Sequence, residues 1–295
     1  MESQNRRDKK YFVLGVGAQK AGTTWLHSYL SSIECVDLGI FKEYHMFDSM
    51  NIPECKYFRS DYSIKSNLKK LIRKTTNRDY YNRFQFQDCP DKYFDYFAKI
   101  LSENKSITVT GDITPSYSGL PVECYKDIHD NFERRNVKVK VIFLLRDPLE
   151  RCWSAVRMHR RGNKTNFENV DTQLNEEDAL RNYYKTRNAE FRTRYDQTIQ
   201  NLEAVFDGAD IFVSFYETFL KSGTGEVERL AKFLDIQYTK PNYSRKLNVS
   251  KKNDNISDEL KTEIVMHYSD VYRFAFDRYG RDFVAEIWSG AKYLI

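Results

Sequence analysis

Residues 11–30 read YFVLGVGAQKAGTTWLHSYL, and the order of residue types in this stretch decides the fold. The apolar run 11–16 reads as a buried strand, residues from Thr23 onward as an amphipathic helix, and a glycine-punctuated turn joins them. In such a strand–loop–helix unit, backbone N–H groups and the helix N-terminus converge and cradle an anion. Gly17 and Gly22 have the spacing of the two glycines in an ATPase phosphate loop. Lys20, however, sits inside the loop, and Thr23 occupies the place after the second glycine where an ATPase keeps its lysine. The displaced lysine predicts a nucleotide whose reactive end is not an ATP γ-phosphate held through magnesium. The bland alternative is a tight turn between strand and helix.

Outward from this unit, strands and helices alternate. Further strands are predicted at 106–111, 138–145 and 210–215, the second of these (KVKVIFLL) being the most apolar and reading as central. Helices are predicted at 91–101, 121–135, after Pro148, over 176–207 as one long helix or a broken pair, and near 225–235 and 257–279. Residues 50–88 are polar, aromatic and weakly periodic, and read as short helices over a surface. The expectation is a three-layer α/β fold: a central parallel sheet flanked by helices, with ligands at the carboxyl ends of the strands. No repeat or low-complexity linker interrupts the chain, so 1–295 reads as one domain with a polar tail at 1–10.

The net charge of +5 is the small difference between 47 basic and 42 acidic residues. It suits an enzyme handling anionic ligands and is too mild to argue nucleic-acid binding. Five scattered cysteines, with no C-x-x-C pair, read as free thiols of a reducing compartment. With no signal peptide or transmembrane run, a soluble, cytoplasmic protein is expected.

A second motif follows the most apolar strand: Arg146-Asp147-Pro148-Leu149-Glu150-Arg151-Cys152-Trp153-Ser154. An arginine delivered to a strand end, with a serine two helical turns on, suits recognition of a second phosphate. Read alone, Arg146 serves equally well as a structural ion-pair partner. Taken in order, QKAGTTWL after a strand and VIFLLRDPxxRxxS far downstream resemble the sulfotransferases that use 3′-phosphoadenosine-5′-phosphosulfate (PAPS). The strand end IFVSFYETF, with Tyr216 and Glu217, is also similar to that family, and the resemblance spans most of 11–235. It implies a P-loop NTPase-like sulfotransferase fold, PAPS as donor, its product PAP (3′-phosphoadenosine-5′-phosphate), and no metal.

By that resemblance Lys20 contacts the phosphosulfate bridge, while the loop from Gln19 and Ala21 to Gly22, Thr23 and Thr24 holds the 5′-phosphate. Trp25 stacks on adenine, and Arg146 and Ser154 bind the 3′-phosphate. The segment Lys42-Glu43-Tyr44-His45-Met46-Phe47 looks like the KEPHFF loop of the glycosaminoglycan sulfotransferases, in which the glutamate is the general base. Sulfuryl transfer to a hydroxyl needs in-line geometry, cations on the departing phosphate and a base near the acceptor proton. Lys20 and Lys42 then supply cations and Glu43 the base, with His45 as rival base or packed histidine; Lys42 and Glu43 otherwise read as a solvated pair. Ser250 and Lys251, in the basic stretch 247–252, close over the 3′-phosphate or form a solvated turn. The cluster Arg157, His159, Arg160 and Arg161 reads better as a solvated helix end than as the lining of an acidic-acceptor cleft. The chain departs from the family at Asp112-Ile113-Thr114-Pro115-Ser116-Tyr117, where Ile113 replaces a lysine of the glycosaminoglycan enzymes. It also lacks their cysteine-bracketed loop and membrane anchor, and so looks like a soluble bacterial or viral relative. The expected acceptor is a hydroxyl on a glycan, lipid or small molecule. A P-loop small-molecule kinase and a non-catalytic PAP-binding protein are the alternatives.

Overall fold

The computed structural model describes residues 9–59, 78–161, 170–221, 223–243 and 255–294. Its centre is strand β1 (Tyr11–Gly17), every residue of which is buried. A strand apolar on both faces has to be covered on both faces, and β1 lies in the middle of a five-stranded parallel sheet ordered β2-β3-β1-β4-β5. The other strands are β2 (Val36–Asp37), β3 (Val109–Ile113), β4 (Lys138–Leu145) and β5 (Ile211–Phe215). In register, Tyr11 lies beside Val109 on one side and Lys138 on the other, and Leu145 beside Phe215. β3 and β4 flank β1 on opposite sides, so the chain diverges at the carboxyl end of β1 and opens a crevice there.

The helices begin with α1 (Thr23–Leu30), then a short α2 (Asp48–Asn51), α3 (Arg78–Asp88), α4 (Pro90–Glu103), α5 (Val122–Glu133) and α6 (Pro148–Arg161). Proline opens α4 and α6, where its missing N–H costs nothing and its fixed φ suits the first turn. Along α4, Tyr93, Phe94, Phe97 and Leu101 recur at helical spacing and are all buried. Phe12 of β1 stacks on Phe132 of α5 and meets Phe97 edge-on. These aromatics are core, as their spacing predicts.

Two sequence expectations are corrected, and one strand was not foreseen. The strand expected at 106–111 runs from Val109 to Ile113, starting three residues later and ending two later. Gly111-Asp112 looks like a strand break, yet Gly111 packs directly on β1, where an added Cβ would lie 2.4 Å from the Val13 carbonyl. The edge strand β2 has two residues and gives no periodic signal. The stretch 176–207 holds three helices, Glu176–Tyr183, Arg187–Glu190 and Tyr195–Glu203. Asn175 and Thr186 accept from the Asp178 and Ala189 amides as N-caps, which starts new helices where one was expected to continue.

Ile113, which stands where the glycosaminoglycan enzymes have a lysine, is buried against β1 at Gly15. A Cβ at Gly15 would lie 2.8 Å from Ile113 Cγ2, so the two residues are fitted to each other. Gly15→Ala is expected to lower stability by about 1–3 kcal/mol through overpacking. Adding Ile113→Ala should recover part of that loss in urea denaturation; strictly additive losses would contradict the fit.

Candidate active site

The loop leaving β1 turns on residues with left-handed backbone. Lys20 has φ 71° and Gly22, the N-cap of α1, has φ 89°. A Cβ at Gly22 would press on Leu220 and Tyr216 at 3.3 Å, so both conformation and space demand glycine there. The loop is tied to β4 by the Ala18 amide, which donates to the Leu144 carbonyl at 2.7 Å. With no cap side chain, the first-turn amides of α1 belong to the class of helix N–H groups that lack an intrahelical acceptor.

Charge around this loop is positive. Burial, followed by the charges of Arg146, Arg161, Arg157 and Lys42, lowers the Lys20 pKa to about 8. Among the described residues no carboxylate pairs with Lys20. Arg146 donates from Nη1 to the Lys20 carbonyl at 2.8 Å and lies over the Tyr216 ring. Its ion pair with Glu150 is loose at 3.6 Å, and its buried Nε has no hydrogen-bond partner. Arg146 is thus both structural, fastening the loop, and under-neutralised. The nearby Glu217 does not neutralise it: burial, then the charge of Asp147, pushes the Glu217 carboxyl up to about 8, against the hydrogen bond from the Asp147 amide at 3.0 Å. At neutral pH Glu217 is therefore mostly uncharged.

The solvated-end expectation for Arg157, His159, Arg160 and Arg161 is corrected. Arg157 and His159 are buried; Arg157 lies over Trp153 and pairs with Glu176, while Arg160 donates to the Leu174 carbonyl. Arg161 alone is exposed. Arg157 and Arg161 nonetheless act on Lys20, so this helix end contributes to the loop's field.

The loop 42–48 lies beside α1, since the charges of Lys42 and Glu43 act on His27, and Lys42 acts on Lys20 as well. Glu43, His45 and Asp48 form one line. His45 Nδ1 meets the fully buried Asp48 at 2.7 Å, and its Nε2 lies 3.4 Å from Glu43 Oε2. Lys42 pairs with the other Glu43 oxygen, and Ser116 donates to Asp48. Burial pushes the Glu43 carboxyl up, but His45 and Lys42 more than reverse this and hold it at about 2. Burial lowers the His45 pKa, and its two carboxylate neighbours overturn that, so it is raised. The Glu43 side chain is 30% exposed and that of His45 8%, so Glu43 is the more accessible of the two. The pair read as rival bases is a single array, and Lys42, exposed and paired with Glu43 as the solvated-pair reading expects, joins it at the solvent side.

Trp25 is buried, its ring parallel to those of Tyr29 and Tyr243 and edge-on to Phe219. Ser154 is buried on α6, two turns from Arg146. Ser250 and Lys251 fall outside the described residues.

The family model described as "Sulfotransferase family" matches residues 13–240. The chain belongs to the sulfotransferase family. Among solved structures, a sulfotransferase from Alicyclobacillus acidocaldarius superposes with a TM-score of 0.57 at 17% identity, covering 91% of this chain and 95% of that one. The sulfotransferase domain from the curacin biosynthetic pathway gives 0.46 at 15%, covering 88% and 97%. That of the Synechococcus olefin synthase gives 0.44 at 13%, covering 86% of each chain. At such identities the first likeness establishes the shared sulfotransferase fold, and the looser two add nothing to it. A search of curated sequences returns no significant match. Among the described residues no helix of this sulfotransferase is long and apolar enough to cross a membrane, and all five cysteines are free thiols.

Asp48 was visible in the sequence only as the end of a loop rich in ionisable groups; its signal is the E-x-H-x-x-D spacing, which becomes a line of contacts once His45 adopts φ 51°. Two pH effects follow. Lys20 titrates lower folded than unfolded, so the unfolded chain holds its proton more tightly, and stability rises as pH climbs from about 8 to 10.5. Lys20→Met should stabilise the protein at pH 7 and abolish that rise in thermal melts. Glu217 titrates higher folded than unfolded, so stability falls as pH rises from about 4.5 to 8. Glu217→Gln should flatten that fall, and an unchanged profile would show that Glu217 is ionised at neutral pH.

Proposed function

We propose that this sulfotransferase moves the sulfuryl group of PAPS to a hydroxyl acceptor, with Glu43 as general base and Lys20 steadying the leaving phosphate. The observation that carries the reading is a half-buried lysine that has no carboxylate partner among the described residues, in a phosphate loop fastened by an under-neutralised arginine. The fit to the nucleotide is chemical. Lys20 and the first-turn amides of α1 suit the 5′-phosphate end, and the orphaned Nε of Arg146 with the Ser154 hydroxyl suits a 3′-phosphate. Bound PAPS supplies an activated sulfuryl group on a phosphosulfate anhydride.

In transfer, a bond forms from acceptor oxygen to sulfur and the sulfur–bridge-oxygen bond breaks. The acceptor proton passes to Glu43, and the charge developing on the bridge oxygen falls to Lys20. Held at about 2, the Glu43 carboxylate is ionised at any working pH and orients the acceptor O–H. It is a weak proton sink while Lys42 and His45 both face it, so proton uptake favours a state in which one of these two side chains has turned to the reacting groups. Asp48 keeps His45 aligned throughout.

The kinase alternative loses its metal-binding acid. Asp112 is fully buried, and its two oxygens are taken by the hydroxyls of Thr114, Tyr117 and Tyr93. PAP is expected to raise the melting temperature without magnesium, by an amount equal to about 2.7 kcal/mol at a hundred times its Kd. ATP should act weakly with or without the metal, and Lys20→Ala should lose most of the PAP effect. A strong magnesium-dependent ATP effect with none from PAP would point to a kinase.

A further inference from the structure

We propose that Asp112 is the positioning residue for the loop that carries Glu43, acting through the hydroxyls of Thr114 and Tyr117. This rests on the reading of Glu43 as the base, and Asp112 itself touches neither Glu43 nor Lys20. Thr114 donates to Asp112 Oδ1 at 2.6 Å, and Tyr117 and Tyr93 donate to Oδ2 at 2.7 and 2.9 Å. A hydroxyl has one proton, so each of the three spends it on the carboxylate. The outward lone pairs are then available only to donors. The Tyr44 amide donates to Thr114 Oγ1 at 3.0 Å, with the His45 amide at 3.5 Å, and the Met46 amide donates to the Tyr117 hydroxyl at 3.1 Å.

Three consecutive amides, directly after Glu43, are therefore held by two hydroxyls whose direction one buried carboxylate dictates. They hold a strained segment, since His45 has a positive φ that a non-glycine residue adopts only at a cost. Its position sets whether the imidazole reaches both Asp48 and Glu43. Burial raises the Asp112 pKa to about 6, and the three donated hydrogen bonds oppose that rise, so the charge is present at neutral pH.

Asp112→Asn keeps the shape and removes this logic. In one amide orientation two N–H groups face Tyr117 and Tyr93, and the Tyr117 proton must turn toward the Met46 amide. In the other, the Thr114 proton must turn toward the Tyr44 amide. Either way a loop amide loses its acceptor.

The test is ¹⁵N NMR of the full chain, which has five histidines, with amide hydrogen exchange and the PAP thermal shift measured alongside. In Asp112→Asn, exchange at Tyr44–Met46 should accelerate tenfold or more, and the His45 titration should fall back toward that of an ordinary histidine. The PAP shift should persist, because Lys20 and Arg146 lie outside the cluster. Tyr117→Phe, which removes only the Met46 acceptor and one donor, should act in the same direction, and it serves if the asparagine variant does not fold. Tyr93→Phe strips a hydrogen bond from Asp112 but holds no loop amide, so it should cost stability and leave His45 unchanged. Wild-type exchange and titration in folded Asp112→Asn or Tyr117→Phe would overturn the proposal, as would an equal His45 shift in Tyr93→Phe. If PAP fails to stabilise even the wild type, the donor reading fails, while the exchange data still decide the role of Asp112.

Discussion

A half-buried ammonium with no carboxylate partner among the described residues governs the carboxyl end of the sheet. Lys20 sits with left-handed backbone in a loop closed by Arg146, and Arg157, Arg161 and Lys42 add to the positive potential around it. Placing like charges together in a partly desolvated site costs free energy that the empty protein does not recover. Glu217, an acid close enough to feel Arg146, is kept out of the balance, since it is pushed toward its neutral form. Such a site makes sense as the receptor of a polyanion, because each cation that destabilises the free fold strengthens the hold on an incoming phosphate.

The two halves of the site are held in different ways. The phosphate loop is fastened through backbone contacts to the sheet, by Ala18 to Leu144 and by Arg146 to the Lys20 carbonyl. The Glu43 loop is suspended on side chains of the segment after β3, where Thr114, Ser116 and Tyr117 each grip a different group between residues 44 and 48. Because β1 and β3 are neighbours in register, with Gly15 beside Ile113, the sheet fixes the segments that anchor the two loops relative to each other.

How much of this was legible in the sequence follows from the range of the forces involved. The phosphate loop and β4 are local statements, glycine spacing in one case and an unbroken apolar run in the other, and both stand where they were expected. The sheet's parallel class followed from the alternation of elements. β2 was illegible because two edge residues carry no period. β3 was misplaced because Asp112 looks too polar for a buried strand, and its acceptors are satisfied by Tyr93, nineteen residues away, as well as by its neighbours. In the site, the motif residues could be named but not their couplings. Glu43 and His45 read as competitors because nothing local announces that His45 turns to link Glu43 with Asp48. Arg157 and His159 read as solvated because the partners that cover them, among them Glu176, lie on another helix.

The central claim is that Lys20 and Glu43 are the two ends of one sulfuryl transfer. The most direct measurement incubates the protein with PAPS and a mixed pool of hydroxyl compounds, and reads the gain of a sulfo group by mass spectrometry in wild type, Lys20→Ala and Glu43→Gln. Sulfated product is expected with wild type, with a loss of at least a hundredfold in each variant and Glu43→Gln still stabilised by PAP. Wild-type yield from a folded Glu43→Gln or Lys20→Ala protein would contradict it.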